Sequence, residues 1–411
     1  MKNKRYIKVC GLDVHKDTVF CSIYDGNSFD EVKEFSTFTA SIKQMADFLQ
    51  QQGVKKVAME STGIYWIPVW NILETYGFEL ILVNPYYIKQ MPGKKSDIKD
   101  AQWIETLLHK DMLRGSLVPD KPIRELRAYS RKYVHLKEEL TSVLTEMERL
   151  LEMSNIRITS LVSNLHSTTV LVVIQKILQQ KDNGDELLGC IHGRILKREG
   201  TKVKMALEGY IQDHHRVLLK LAYEQYELLN QQLEELEQAM QNICETHYKE
   251  ELERLKTIPG VKKQSAMQIL AETGSDRKAF ENSGKLTGWA GLRPRNDESA
   301  GKMKSTAITK GNKYLRRLIV QCGWAASRTK GSKFQEMFLR LCVRKSRKKA
   351  LIAVARNLLT VIWNVLRYKQ VYQPHKQPVI SKEKLKKRLN YYKKQVERLE
   401  ALTTSIVSIN A

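Results

Sequence analysis

Hydrophobic and polar positions follow two different periods in the N-terminal part of the chain. Short apolar or alternating runs, typical of strands, take turns with segments whose apolar residues recur every three or four positions, typical of helices. The predicted strands are 6–13, 18–24, 32–38, 56–60 and 79–83, and the predicted helices are 41–51, 64–76 and 97–108. A hairpin followed by alternating strands and helices predicts an α/β domain with a mixed sheet, at residues 1–122.

The middle of the chain carries two heptad stripes of apolar residues. Either stripe alone is equally typical of an amphipathic helix on a globular core, but two favour long helices paired as a coiled coil, antiparallel or between protomers. This helical region is predicted at 123–253, with a polar loop or small insertion at about 179–210. The first stripe includes Leu126, Tyr133, Leu140 and Met147, and the second includes Leu229, Leu233, Leu236 and Met240.

The C-terminal pattern is mainly helical. A helix ending before Pro259-Gly260 and an amphipathic segment at 265–272 predict a helix-hairpin-helix, whose turn amides can contact a phosphate. Any pair of helices can carry Pro-Gly, so this signal is weak by itself. The glycine-rich stretch 284–311 is predicted to be irregular, and helices are predicted at 313–326 and 350–366. Together these form a block at 254–372, followed by a basic tail at 373–411.

The positive charge is concentrated near the C-terminus. The chain has 69 Lys+Arg and 45 Asp+Glu, a net charge of +24, and residues 301–411 hold 27 of the cations but only 4 of the acids. Such a segment favours a polyanionic partner, with nucleic acid preferred over a membrane surface. A basic tail that only improves solubility is the alternative. At 42% hydrophobic and 28% charged residues, the chain excludes wholesale disorder and has the length of two or three domains.

Cysteine usage and the absence of long apolar runs bear on location. The six cysteines include no C-x-x-C pair, which makes a zinc knuckle or ribbon an unfavoured interpretation and predicts reduced thiols. No run of eighteen apolar residues occurs, and the basic start leads into a strand pattern rather than a signal peptide. We therefore expect a soluble, cytoplasmic protein with no membrane partner.

Four acidic residues occupy positions from which their carboxylates can converge. Asp13 and Glu60 each end a predicted strand, whereas Asp97 and Asp100 lie three apart at a helix start, on one face. Four carboxylates at one point repel one another by roughly several kcal/mol unless a cation lies among them. The pattern predicts a site for Mg²⁺ or Mn²⁺, which could activate a phosphodiester. Ordinary charges at a helix N-terminus are the alternative for Asp97 and Asp100.

Six short motifs occur in a fixed order along the chain. They resemble the motifs of the DEDD transposases, insertion-sequence recombinases related to the Piv pilin-gene invertase, several of which are guided by a bridge RNA. The resemblance covers roughly 6–110 and 254–366. The motifs are Gly11-Leu12-Asp13-Val14-His15-Lys16, Met59-Glu60-Ser61-Thr62-Gly63, Lys95-Ser96-Asp97-Ile98-Lys99-Asp100-Ala101, Ile258-Pro259-Gly260-Val261, Leu286-Thr287-Gly288-Trp289-Ala290-Gly291-Leu292-Arg293-Pro294 and Ser299-Ala300-Gly301-Lys302.

The resemblance implies a fold and a set of site residues. It implies a RuvC-like, ribonuclease-H-like N-terminal domain in which Asp13, Glu60, Asp97 and Asp100 bind Mg²⁺ or Mn²⁺. It also implies a C-terminal transposase domain in which Ser299 is the nucleophile toward DNA. The family has two glycines after this serine, whereas this chain has an alanine and a glycine, which narrows the backbone freedom of the loop. Ser305 and Thr306 follow closely and are the rival hydroxyls.

Partners follow from the same resemblance and from the charge. We expect donor and target DNA, a guide (bridge) RNA, and a homo-oligomer that is at least a dimer, with a tetramer as the larger alternative. The acids and the serine are expected to come from different subunits in the family. The candidate nucleic-acid-binding residues are Arg293, Arg295, Lys302, Lys310, Arg316 and Arg317.

Two other functions compete with a recombinase. A hydrolytic Holliday-junction nuclease of the RuvC type explains the acids and the charge but leaves the serine loop without a role. A non-catalytic nucleic-acid-binding protein explains the charge only, because clustered buried acids without a metal are costly. Covalent trapping of DNA on the protein separates the three hypotheses.

Overall fold

The computed structural model describes residues 8–26, 28, 31–60, 63–84, 97–113, 115–161, 167–275, 279–295, 297–299, 302–305, 307–374, 386 and 389–400. For 97–100, 297–299 and 302–304 only the backbone is described. The chain divides into two compact units, Met1–Asp120 and Lys121–Ala411. The finer division of the second unit at residues 253 and 372 stays a prediction.

The first unit contains a six-stranded mixed sheet with strand order β3-β2-β1-β4-β5-β6. β1 pairs antiparallel with β2, and β2 with β3, whereas β1, β4 and β5 run parallel and β6 is antiparallel to β5. The mixed sheet and its five longer strands confirm the sequence prediction, and β6 was missed because two residues carry no periodic signal. The strands are β1 Val9–Val14, β2 Thr18–Tyr24, β3 Lys33–Ser36, β4 Lys56–Glu60, β5 Glu79–Val83 and β6 Gly115–Ser116.

Helices cover both faces of this sheet. They are α1 Thr39–Gln51, α2 Trp66–Thr75 and α3 Asp97–His109. Side chains alternate along each strand, so Leu12 and Met59 pack with α1 and α2 on one face. Val9 and Ala58 pack with the α3 residue Ile104 on the other face. Along both β1 and β4, successive side chains therefore point alternately to the face covered by α1 and α2 and to the face covered by α3.

Two long helices dominate the first part of the second unit. The helices here are α4 Lys121–Met153, α5 Thr168–Leu178, α6 Gly184–Leu188, α7 Gly193–Leu207 and α8 Asp213–His247. Leu126 near the start of α4 shares a core with Met240 near the end of α8, whereas Leu151 at the end of α4 shares a core with Leu219 near the start of α8. The two helices therefore pair antiparallel within one chain. A coiled coil in the strict sense stays a prediction.

Two alternatives were predicted for 179–210, a polar loop or a small insertion, and the loop is wrong for most of that segment, whereas the insertion stays a prediction. Helices α6 and α7 occupy 184–188 and 193–207. Their apolar side chains Leu187, Val203 and Leu207 are buried in the core formed with α4 and α8. Three buried anchors in a polar stretch are enough to fix two short helices on a larger core, but too few to produce a clear period in the sequence.

Where the structure describes the chain after α8, it shows further helices and one small hairpin. The elements are α9 Lys249–Lys256, α10 Lys263–Thr273, α11 Ser283–Trp289, β7 Asp297–Ser299, β8 Lys302–Ser305, α12 Lys313–Arg328, α13 Lys333–Cys342 and α14 Arg347–Tyr368. The prediction that 284–311 is irregular is therefore wrong for α11 and the β7–β8 hairpin, and α13 was not predicted. α9 and α10 flank the Pro259-Gly260 turn, but a phosphate contact there stays a prediction.

Helix α14 lies at the centre of the C-terminal core. Val354, Leu358 and Ile362 on this helix are fully buried, and the helix packs on α9, α11, α12 and α13. By length and composition α14 is also the one helix in the described part of the chain that could cross a membrane. Its burial against other helices is the packing of a core helix, so apolarity here reflects the interior of the unit.

A buried carboxylate joins three helices of the second unit. Glu272 on α10 accepts hydrogen bonds from Arg131 on α4, Nε to Oε1 at 2.9 Å and Nη2 to Oε2 at 3.0 Å, and from Asn312 Nδ2 at 2.6 Å. Asn312 also caps α12 by accepting from the backbone N–H groups of Tyr314 and Leu315. The hydrogen bonds to Glu272 raise the pKa of Arg131. Glu272 therefore fixes where α12 begins.

We predict that Glu272→Gln lowers the free energy of unfolding of the second unit by about 2 kcal/mol. Glu272 is buried, and losing its charge leaves the guanidinium of Arg131 without a full counter-charge. The effect stays below that of a fully buried pair, because the Arg131 side chain is 41% exposed. Calorimetry of the full chain should show the melting temperature of that unit, Lys121–Ala411, falling by about 3 °C. Glu253→Gln, which removes an exposed partner of Lys256, is the control and should shift it little; equal shifts would contradict this role of Glu272.

Candidate active site

The parallel pairing of β1 and β4 brings two of the four predicted acids together. Leu12 lies opposite Met59 in the register, so the next positions, Asp13 and Glu60, are neighbours at the carboxyl ends of adjacent strands. Both are buried, with 5% and 8% of their surface exposed. Because side chains alternate along a strand, both carboxylates belong to the sheet face that α3 covers.

A close approach between backbones holds α3 on this face. A Cβ atom on Gly11 would lie 2.4 Å from the carbonyl oxygen of Ala101 and 2.8 Å from the backbone nitrogen of Glu105. Neither distance is possible for a real side chain, so only glycine lets the helix lie this near to β1. Gly11 is two residues before Asp13 on the same face, which places the contact directly beside the first acid.

The direction of α3 follows from its far end. The His109 ring packs edge-on against Tyr24 with centroids 5.0 Å apart, and Tyr24 pairs with Val9 at the start of β1. The helix therefore runs antiparallel to β1, and its first turn lies at the carboxyl end of the strand. That first turn contains Asp97 and Asp100, whose side chains lie outside the described residues.

A buried hydrogen bond also holds α3 against β2. Ser22 donates to Glu105 Oε1 at 2.8 Å, and Glu105 is fully buried. Ser22 is the register partner of Gly11, so this bond crosses over the glycine position. Sequence reasoning missed Glu105, because an acid in the middle of an amphipathic helix carries no signal that its partner is on a strand.

A histidine lies beside the first acid. His15 Nε2 is 3.2 Å from Asp13 Oδ2, and the side chain of His15 is 43% exposed. When Nε2 carries the proton it donates to the carboxylate and fixes the direction in which Asp13 points. His15 belongs to the first sequence motif, but no role was predicted for it. Its position two residues after Asp13 was the signal that could have indicated a contact with that acid.

The donor set at this edge of the sheet fits a hard divalent cation. Two buried carboxylates on adjacent strands, with a helix start that contains two more acids beside them, provide the oxygen ligands that Mg²⁺ and Mn²⁺ prefer. Among the side chains that the structure describes, no three or more His, Cys, Asp or Glu residues cluster as a metal site. The side chains of Asp13 and Glu60 are among those described, whereas the side chains of Asp97 and Asp100 are not.

The predicted nucleophile lies on the β7–β8 hairpin of the second unit. Ser299 pairs with Lys302 next to the turn, and Asp297 pairs with Ser305 at the open end. The side chains of Ser299 and Lys302 are outside the described residues, as is Thr306. Ser305 is half-buried, and its Oγ accepts a hydrogen bond from the backbone nitrogen of Ala307 at 3.1 Å. The rival hydroxyl of Ser305 therefore has a structural partner.

The base of this hairpin is fixed by close backbone contacts. Pro294 and Ile308 form a bridge, and a Cβ on Gly311 would lie 2.4 Å from the nitrogen of Gly291. The loop before α12 thus packs directly on the segment after α11. Asn312, the cap of α12, donates its backbone N–H to the carbonyl of Trp289 at 2.9 Å, so the Glu272 network also holds this base.

The predicted nucleic-acid-binding residues of the second unit have different surroundings. Arg293, Arg295 and Lys310 are exposed. Arg316 is half-buried and its Nη1 donates to the carbonyl of Thr309 at 3.4 Å. Arg317 pairs with Glu138 on α4, so part of its charge is already compensated. These cations surround the hairpin base and the start of α12.

Comparison with known proteins identifies the family. The family model for DEDD-type transposases of the IS110 group, described as a transposase, matches residues 10–156, and the model described as the transposase IS116/IS110/IS902 family matches residues 252–338. The chain is 22% identical over 342 residues to the putative transposase y4pF/y4sB of Sinorhizobium fredii. The matched stretch covers 81% of this chain and 78% of that protein.

Other relatives match over shorter stretches. The pilin gene-inverting protein of Moraxella bovis is 26% identical over 186 residues, 43% of this chain and 53% of that protein. The uncharacterized 42 kDa protein of insertion element IS900 from Mycobacterium paratuberculosis is 32% identical over 121 residues, 29% of this chain and 30% of that protein. The chain thus spans about half or less of the length of these two relatives.

A solved structure of T. thermophilus RuvC in complex with a Holliday junction substrate is 10% identical and matches 27% of this chain and 99% of that chain, with a TM-score of 0.22. A likeness this low carries no argument about the site.

The two family models cover more than half of the chain, and their matched ranges include all four acids and Ser299. The chain belongs to the IS110/IS116/IS902 family of transposases.

Proposed function

We propose that this protein is the recombinase of an insertion sequence, which cuts and rejoins DNA strands with a divalent metal at its acids and Ser299 as nucleophile. One observation carries the proposal. Asp13 and Glu60 are buried neighbours at the carboxyl ends of β1 and β4, on the sheet face where α3 begins. Two buried carboxylates side by side repel one another, and a divalent cation bound between them would compensate both charges.

The metal site of the proposal consists of Asp13, Glu60, Asp97 and Asp100. A bound Mg²⁺ or Mn²⁺ would withdraw charge from a phosphodiester oxygen and so make the phosphorus easier to attack. The chain's own part is to hold the carboxylates in place. His15 orients Asp13, while Gly11 and the Ser22–Glu105 bond keep the first turn of α3 beside the strand ends.

The chemical step is a transesterification. Ser299 Oγ loses its proton to a base or to solvent and forms a bond to phosphorus, while one P–O ester bond of the strand breaks. The departing sugar oxygen takes up a proton and becomes a hydroxyl group. No water is consumed, so the phosphoserine ester conserves the energy of the broken bond, and attack by a second sugar hydroxyl rejoins the strand.

The acids and the serine belong to different compact units of the chain. We infer that a homo-oligomer, at least a dimer, brings an acid site and a serine hairpin to one phosphate, in cis or between protomers. Donor and target DNA are the substrates, and the 27 cations of residues 301–411 supply a large part of the affinity for them.

We predict that Ser299→Ala abolishes the covalent protein–DNA adduct and leaves DNA binding unchanged. The substitution removes only the attacking oxygen, and a small change in a hairpin costs within roughly 0.5 kcal/mol of stability. The measurement is labelled DNA that remains on the protein after denaturation. Ser305→Ala is the matched control, since its hydroxyl accepts a backbone hydrogen bond, and it should still form adduct.

Other outcomes of this experiment contradict the proposal. Adduct that survives in Ser299→Ala but disappears in Ser305→Ala moves the nucleophile six residues along the chain. Wild-type protein that yields free cut ends and no adduct instead supports a hydrolytic nuclease, for which His15 beside Asp13 offers a side chain that could activate water. Intact DNA in every sample leaves a binding protein.

We further propose that a guide RNA selects the DNA, because no motif of this chain is typical of a specific base reader. We predict that the full protein purified from its own cells retains one RNA species through a high-salt wash and that nuclease treatment removes site selection. Sequencing of the retained RNA is the measurement. A mixture that mirrors the total RNA of the cell would contradict a dedicated guide.

A further inference from the structure

The second unit contains a long groove beside the serine hairpin. It has a volume of about 1200 Å³ and is lined by the end of β8, by the loop before α14 and by one face of α14. Lys348, Ile352, Arg356 and Thr360 follow one another at intervals of four residues on that face. With a rise of 1.5 Å per residue, this face extends for about 18 Å. The groove is thus longer than a single small anion requires.

The charge of the groove has one sign. Five cations line it, Arg344, Lys345, Lys348, Lys349 and Arg356, and no carboxylate is among its described lining residues. All five side chains are exposed. Like charges this close repel one another, and the folded chain alone does not relieve the repulsion from within the groove.

Two of these cations, Lys348 and Lys349, lie in the first turn of a helix. α14 begins at Arg347 after Ser346, with no acidic residue in its first turn and no side-chain cap from Ser346. Cations at a helix N-terminus are unfavourable, because the unpaired N–H groups there already carry partial positive charge. A phosphate in the groove would compensate both the side chains and the helix end. The repulsion destabilises the protein without an anion, and binding of an anion relieves it.

The lining of the groove also contains apolar side chains. These are Leu292, Ile308, Met337 and Ile352. A lining that combines cations with apolar side chains matches a nucleic-acid strand, whose sugars and bases are less polar than its phosphates. An inorganic phosphate would use the cations but not the apolar side chains.

The lining of the groove includes the end of the hairpin that carries Ser299. Ser305, at the end of β8, lines the groove and pairs with Asp297, which is two residues before Ser299. Two residues of strand span about 7 Å. A strand that leaves the groove over the hairpin therefore passes within about two nucleotides of the Ser299 backbone, taking roughly 3.4 Å of rise for each nucleotide.

From these observations we propose that this groove binds the sugar–phosphate backbone of a DNA strand and leads it to Ser299. The assignment of DNA rather than RNA rests on the proposed function, in which Ser299 attacks DNA. Arg344, Lys345, Lys348, Lys349 and Arg356 neutralise successive phosphates. None of these five is among the six nucleic-acid-binding candidates predicted from the sequence, although four of them belong to the basic run 344–349.

The test compares two triple variants of the full-length protein without divalent metal, so that no chemistry occurs. Lys345→Gln/Lys348→Gln/Arg356→Gln removes three charges from the groove. Lys181→Gln/Lys197→Gln/Lys204→Gln removes three exposed charges far along the chain and is the matched control. Affinity for single-stranded DNA and for RNA of the same sequence is measured across a salt series.

We expect the groove variant to lose three phosphate contacts. For single-stranded DNA, the slope of log affinity against log salt concentration should become less negative by about 2. The affinity near 0.1 M salt should fall about 100-fold. The affinity of the control should change by less than about threefold. Equal losses in both variants would overturn the groove, since net charge alone would then explain the effect. A loss confined to RNA would overturn the assignment of DNA.

The outcome is separable from that of the proposed function. A groove variant that binds DNA like wild type, while wild type still forms the Ser299 adduct, overturns the groove alone. A wild type that never forms adduct overturns the role of Ser299 as nucleophile. A selective loss of DNA binding in the groove variant would, even then, support the groove as a DNA-binding site.

Discussion

The contact between Gly11 and the backbone of α3 is the constraint on which the N-terminal site depends. With any side chain at position 11, the carbonyl of Ala101 and the nitrogen of Glu105 would have to move away from β1. Since Ala101 directly follows Asp100, such a movement would carry the first turn of α3 away from Asp13 and Glu60. One missing Cβ thus links the position of α3 to the strand ends that carry Asp13 and Glu60.

Buried polar groups complete the positioning in both units. In the first, Ser22 and the fully buried Glu105 hold α3 across the Gly11 position. In the second, Glu272 joins α4, α10 and the cap of α12, and so sets the loop on which the serine hairpin rests. Removing one partner of such a bond costs more than the bond contributes, because the other partner is left buried. Both networks therefore position backbone next to candidate site residues from a distance.

The sequence predicted the elements that carry a repeating apolar pattern. It did not predict the roles of residues whose partners are distant in the sequence. The long strands and helices of the first unit each carry several turns or alternations of pattern, and parallel strand ends place Asp13 near Glu60 by geometry alone. The two-residue β6, helices α6 and α7, and the β7–β8 hairpin have too few apolar anchors to give a period. Glu105 and Glu272 have partners 83 and 141 residues away, so no local pattern identifies their roles. The groove on α14 depends on which side chains share a face after folding.

The most direct test of this account is the affinity of the full-length protein for Mn²⁺, measured by calorimetry for wild type, Gly11→Ala, Asp13→Asn and Gly184→Ala. Gly184 has nothing within 4 Å of an added Cβ and is the matched glycine control. Wild type and Gly184→Ala should bind equally, while Gly11→Ala and Asp13→Asn should each lose about tenfold or more. Circular dichroism should confirm that both remain folded. A folded Gly11→Ala that binds Mn²⁺ as tightly as wild type would contradict the claim that this contact assembles the metal site.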